Sequence, residues 1–232
     1  MRIYKSLKKS IFIQKFFIMK LSLSAIVTLL LVTITSHAQQ EYFEYGFKGG
    51  VNLSSISGDG DKVSNYDTKA SMNIGGYGLY KILPKLGLQA ELIYSEQGFS
   101  ERFNVEEDEN IDEIKSLTRM QYINLPVLVS YNLIEELWIE GGVQVGYLVN
   151  AEEEEETRSI NDSGQLDSVT ETIDQTSRYE SLELGLLGGL RYKLSQNFMI
   201  QARYEKSIND IDKDLPGDQF NEVWSFSVGF VF

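Results

Sequence analysis

Four stretches of the chain alternate between apolar residues and polar or small ones. Leu86, Leu88, Ala90, Leu92 and Tyr94 alternate with Gly87, Gln89, Glu91, Ile93 and Ser95, and 139–147, 182–193 and 224–232 repeat the pattern. A period of two belongs to a strand whose faces meet different surroundings, because successive side chains point to opposite sides of a sheet. Weaker runs at 42–54, 69–82, 117–132 and 198–208 complete a predicted set of eight strands. Nothing after residue 38 approaches the ~18 consecutive apolar residues that signal a membrane helix. Pro84 is expected in a turn and Pro216 in a loop, but Pro126 falls inside the fourth strand, where its missing N–H removes a ladder bond.

The connections between these runs alternate in length. Short ones at 83–85, 133–136 and 195–197 are set against long ones at 55–68, 100–116, 151–178 and 209–221. A membrane barrel with short periplasmic turns and long outer loops has this order. Tyr80, Tyr131, Tyr192, Phe198 and Phe232 fall near the short turns or the carboxyl end, and Tyr94, Tyr147, Tyr204 and Trp224 near the long loops. All share the apolar parity, as two interfacial girdles require. A soluble lipocalin-like barrel is the alternative, with its apolar face turned inward around a ligand. The lumen of eight strands is just wide enough to be filled by side chains, and these aromatics do not fit inside it. The expected fold is therefore all-β: an eight-stranded antiparallel up-and-down transmembrane β-barrel.

Residues 1–38 read differently. Arg2, Lys5, Lys8, Lys9, Lys15 and Lys20 precede a short apolar run at 21–34 and the small-residue site Ser36-His37-Ala38. That is the form of a cleaved signal peptide, with Met19 as an alternative start, and leaves 39–232 as the barrel domain. A membrane anchor needs ~20 apolar residues, more than this run supplies. The segment holds six of the 21 basic residues and none of the 34 acids, so the remainder carries a net charge of −19. Nucleic acid is an unsuitable partner for such a chain. The one histidine, His37, leaves with the segment, and there is no cysteine. Without imidazole or thiol, Ser-His and Cys-His catalysis and His- or Cys-ligated metals are excluded, and neither an enzyme nor a cofactor is expected.

Several short motifs carry a resemblance. They are Gly46-Phe47-Lys48-Gly49-Gly50-Val51-Asn52-Leu53-Ser54, Glu91-Leu92-Ile93-Tyr94-Ser95 with Gly98, Tyr122-Ile123-Asn124-Leu125-Pro126, Gly141-Gly142-Val143-Gln144-Val145-Gly146-Tyr147, Ala202-Arg203-Tyr204 and the terminal Phe232. In their order and spacing the chain resembles PorT-like, "porin family" outer-membrane β-barrel domain proteins over nearly all of 42–232. The resemblance implies a small barrel of the OmpA and OmpX type in a Gram-negative outer membrane, and makes Pro126 an expected feature.

Two constellations are candidates for function. By parity Lys48, Glu91, Glu140, Glu183, Arg191 and Arg203 face the lumen, where unpaired charges are costly and a structural charge network is expected. An ion path or an acid–base carboxylate pair is the sharper alternative. Glu152, Glu153, Glu154, Glu155 and Glu156 open the longest connection as a candidate weak cation-binding loop, the bland alternative being a solvated, self-repelling one. They lack EF-hand spacing, so no metal is assigned. Asp210, Asp212 and Asp214 are accounted for by turn chemistry. The Gly pairs at 49–50, 75–76, 141–142 and 188–189 lie in strands rather than between strand and helix, which disfavours a phosphate loop. The expected role is structural or interactive, through acidic outer loops. Expected partners are outer-membrane lipid, lipopolysaccharide and a protein at those loops. The alternative is a narrow pore or an accessory of a transport or secretion machine.

Overall fold

A computed structural model describes residues 42–58, 66–103, 111–160, 166–214 and 217–232. Residues 1–41, which include the expected signal peptide, and Pro216 lie outside them. Nine strands form the sheet: β1 (Phe43–Gly58), β2 (Tyr66–Leu83), β3 (Leu86–Phe103), β4 (Ile111–Ile134), β5 (Leu137–Ile160), β6 (Leu166–Asp174), β7 (Leu182–Lys193), β8 (Phe198–Ser207) and β9 (Gln219–Val231). Neighbours run β4-β3-β2-β1-β9-β8-β7-β5-β6, and β4 also pairs with β5, which closes a ring of eight antiparallel strands. The ninth, β6, stands outside the ring. The lower half of β5 pairs with β7, from Leu137↔Tyr192 to Tyr147↔Leu182, and its upper half pairs with β6, from Glu152↔Asp174 to Ile160↔Leu166.

The two faces are inverted relative to a water-soluble barrel. Leu92, Val143, Leu184 and Val228 project outward at 57, 55, 45 and 57% exposure, while Gln89, Glu140 and Arg191 are sealed within. That excludes the lipocalin-like arrangement, because an apolar band of this size is stable only against lipid. Aromatics edge the band. Tyr204 meets Trp224 at 5.0 Å near the long connections, and Phe198 meets Phe230 at 5.3 Å near the short turns. Pro126 sits inside β4 with its side chain in the lumen. Opposite it the β3–β4 ladder runs from Ala90↔Val127 directly to Ile93↔Asn124, skipping the pairs beside the proline but keeping register.

The expected long connections are largely strand. Segments 55–58, 66–68, 100–103, 111–116, 151–160 and 166–174 all continue ladders beyond the apolar band. Once both faces meet water the apolar alternation disappears from the sequence, although backbone pairing does not require it. The acidic residues at 106–109 lie outside the described residues. A bulge on β5 also changes the parity. The β4 pairs step from Tyr122↔Leu148 to Gln121↔Asn150, so Val149 and Asn150 together oppose one position. Leu148 faces inward below the bulge and Ala151 above it.

Candidate functional site

The lower lumen is crossed by a charge ladder drawn from five strands. Lys48 on β1 meets Glu91 on β3 at 2.8 Å. Arg203 on β8 grips Glu91 through both terminal nitrogens at 2.9 Å and reaches Glu140 on β5 at 2.8 Å. Arg191 on β7 approaches the other Glu140 oxygen at 3.2 Å and Glu44 at 3.1 Å, and Lys193 closes on Glu44. The Arg191–Glu140 contact is an ion pair without hydrogen-bond alignment, since Arg191 Nε and Glu140 Oε1 have no hydrogen-bond partner. Charge alternates along the whole series. Neutral donors fill the remaining valences: Gln201 accepts from Lys48 at 2.7 Å and donates to Glu140 at 2.7 Å, and Gln89 donates to Glu91 at 2.5 Å. The Arg191 guanidinium also lies 5.1 Å from the Trp138 ring centre, within reach of its π face.

Of the six lumen charges read from the sequence, five therefore meet in this ladder. Glu183 does not. It is buried higher up, accepts a hydrogen bond from Asn221 at 3.1 Å, and has no cation partner among the described residues. Glu205 is similar, accepting from Gln144. Glu44 and Lys193 complete the ladder and lie on the same parity, which is the signal that locates them. Gln89, Gln201 and the amide cluster of Asn52 and Asn73 share that parity too, but uncharged residues give no charge cue. Asn73 donates to Asn52 at 2.7 Å, and Ser225 and Ser227 donate to the pair at 2.8 and 3.0 Å. A lumen cavity of about 30 Å³ lies among Lys48, Asn52, Asn124, Gln144, Arg203 and Glu205. That is room for one or two waters.

Above the polar lumen the chemistry changes again. Ile56, Phe99, Met120, Tyr122, Leu148 and Ala151 form an apolar cluster into which Tyr179 and Ile211 insert from the connections after β6 and β8. Tyr179 and Ile211 are each 1% exposed, so the mouth is filled. A polar clamp fastens the two connections. Arg178 meets Asp212 at 2.9 Å, Lys213 donates to the Tyr179 carbonyl at 2.6 Å, and Tyr179 and Asp212 form an antiparallel bridge. Asp210 and Asp212 accept from backbone N–H groups at Asp212 and Asp214, forming Asx turns. Burial pushes the Tyr179 phenol up to about 12. Burial is the largest single influence on Arg178 and opposes its charge, but the Asp212 hydrogen bond together with the fields of Tyr179, Asp212 and Glu153 raises the group.

The glutamate run is not a loop. Glu152, Glu153, Glu154, Glu155 and Glu156 lie on β5 between β4 and β6, so their side chains alternate between two faces and cannot all converge on one cation. Glu152, Glu154 and Glu156 are on one face, where Arg119 meets Glu154 at 3.1 Å. Glu153 and Glu155 are on the other, where Ser116 donates to Glu153 at 2.6 Å and Gln175 does so at 2.9 Å.

The family model of the outer membrane protein beta-barrel domain matches residues 37–213, three quarters of the chain. The protein belongs to that family. It is a multi-pass barrel of the bacterial outer membrane. Similar solved structures include the Ail attachment invasion locus protein of Yersinia pestis, with 18% identity, 82% of this chain and 99% of that one covered, and a TM-score of 0.44. Neisserial surface protein A is similar at 11% identity, 80% and 96% coverage and a TM-score of 0.41. The N-terminal barrel of Pseudomonas aeruginosa OprF is similar at 11% identity, 80% and 97% coverage and a TM-score of 0.30. No curated protein matches the chain.

Proposed function

We propose that this barrel is a non-enzymatic anchor with a plugged lumen, and that its role is to hold an acidic sheet outside the membrane for interaction. The observation that carries this reading is the charge ladder: its side chains reach across the lumen, from Lys48 on β1 and Glu91 on β3 to Arg203 on β8 and Glu140 on β5. A hydrated ion entering there must separate buried pairs, each of which costs several kcal/mol to break, on the order of 3–5. The filled mouth around Tyr179 adds a second barrier. Long connections face outward in bacterial barrels, which puts the β4–β5–β6 extension outside the cell. The apolar band contacts outer-membrane lipid and lipopolysaccharide. The partner we envisage at the extension is a protein, and the acidic charge disfavours nucleic acid. The order of the glycine and Asn-Leu-Pro motifs supports placement among PorT-like members.

Planar-bilayer recording of the refolded chain tests the plug. No steady current is expected at neutral pH. A sustained single-channel conductance would reject the plug and favour the alternative of a narrow pore or an accessory of a transport or secretion machine.

A further inference from the structure

We infer that the outer edge of β6 is a docking site for an extended, basic segment of a partner protein, which adds to the sheet as a further strand. This rests on the proposed role of the barrel as a presenting anchor and specifies what it presents to.

The first observation is topological. β6 ends the strand order and, among the described residues, pairs with β5 alone. The residues from Val169 to Asp174 are all exposed, with Val169 at 65% and Ile173 at 40%, and no described strand pairs with the second edge. Alternate backbone N–H and C=O groups of an edge strand point away from its neighbour and form a template for another strand. Of the usual protections β6 (LDSVTETID) has only its acids, with no proline, no lysine and more than a few residues of length.

The second observation sets the charge of the occupant. On one face Glu171 is directly opposite Glu155, and on the other Asp174 is directly opposite Glu152. Like charges in that relation repel across a ladder. Arg119 lies across from Glu152 on the β4 side, but Glu155 faces Ser116, and neither Glu155 nor Glu171 has an ion-pair partner among the described residues. A lysine or arginine on an added strand beside Glu171 supplies the missing counter-charge. Val169 and Ile173, two residues to either side of Glu171 on the same face, call for apolar neighbours on that strand. The recognised pattern is thus apolar, basic, apolar at every second position. A second copy of this chain is a poor occupant, because β6 against β6 would bring Glu171 and Asp174 near further acids.

The test uses the full chain refolded in lipid nanodiscs and a short peptide alternating lysine with valine. Amide hydrogen exchange over 168–173 and peptide binding are measured together. Saturable binding with slowed exchange in β6 is expected. Glu171→Lys should weaken it at least roughly tenfold. The same variant should gain affinity for a glutamate–valine peptide, a swap that general unfolding does not produce. Binding that is indifferent to the charge reversal, protection arising elsewhere than β6, or no binding at millimolar peptide would overturn the proposal. Bilayer current on the same preparation reports separately on the plugged anchor, so the two can fail independently.

Discussion

A buried charge is held by what surrounds it, and the two kinds of lumen glutamate differ in this respect. Glu91 serves two cations at once, Lys48 and Arg203. Glu91→Gln leaves both partly uncompensated in a low-dielectric lumen, and should cost roughly 3–5 kcal/mol of stability. Glu183 takes its hydrogen bond from an amide, so Glu183→Gln should stay within about 1 kcal/mol. Urea midpoints of the refolded variants in vesicles check both, and equal costs would dismiss the distinction. Parity sufficed to put these groups on the inner face. It could not say which would meet, because partnership depends on how far each strand is staggered against the next. Arg191, Arg203, Glu91 and Glu140 arrive at one height, and Glu183 at another.

At the scale of an element, the sequence was clearest in four strands with one face on lipid and the other on the lumen, and weaker in β1, β2, β4 and β8. Strands β3, β5, β7 and β9 all announced themselves by alternation through the apolar band. Above the band β6 has nothing to alternate against, and its polar run looks like a loop. The Val149–Asn150 bulge then reverses parity in front of the glutamates, a change no periodicity count detects. Another irregularity is visible only in the backbone. The β2–β3 ladder breaks between Thr68↔Phe99 and Asn73↔Ser95. There Gly98 takes φ +136°, and a Cβ on it would lie 2.0 Å from the Thr118 carbonyl oxygen. The break is satisfied by side chains: Asn52 and Ser71 donate to the Glu96 carbonyl, Lys69 to Gln97 and Ser54 to Gly98. Gly98→Ala should therefore cost roughly 1–3 kcal/mol, read as a lower folded fraction on heat-modifiable gels. The clamp at the mouth offers a pH test. A phenol at about 12 in the folded clamp and near 10 when released adds stability that is complete below pH 10 and is lost between 10 and 12. About two units correspond to roughly 2–3 kcal/mol. Protection of the amides at 178–181, taken relative to their base-catalysed intrinsic exchange, should fall over that window in the wild-type chain and not in Tyr179→Phe.

The molecule as a whole solves two solvation problems with one sheet. Through the apolar band the outward residues replace water by lipid, while the inward ones replace it by one another. Beyond the band the same strands run on into water, and their continued pairing carries β6 away from the surface. The position of the boundary is then a physical prediction along a single ladder. Val143 on β5 faces lipid between the two aromatic girdles, and Val169 on β6 is equally bare but beyond the bulge. An arginine at a lipid-facing midplane position costs about 2–4 kcal/mol, falling toward zero near the interface. Val143→Arg should therefore lower the folding free energy in vesicles by that amount, whereas Val169→Arg should remain within about 0.5 kcal/mol. Exposure alone does not separate the two valines, at 55 and 65%. Only the medium does, so equal costs would mean that the apolar band has been drawn in the wrong place.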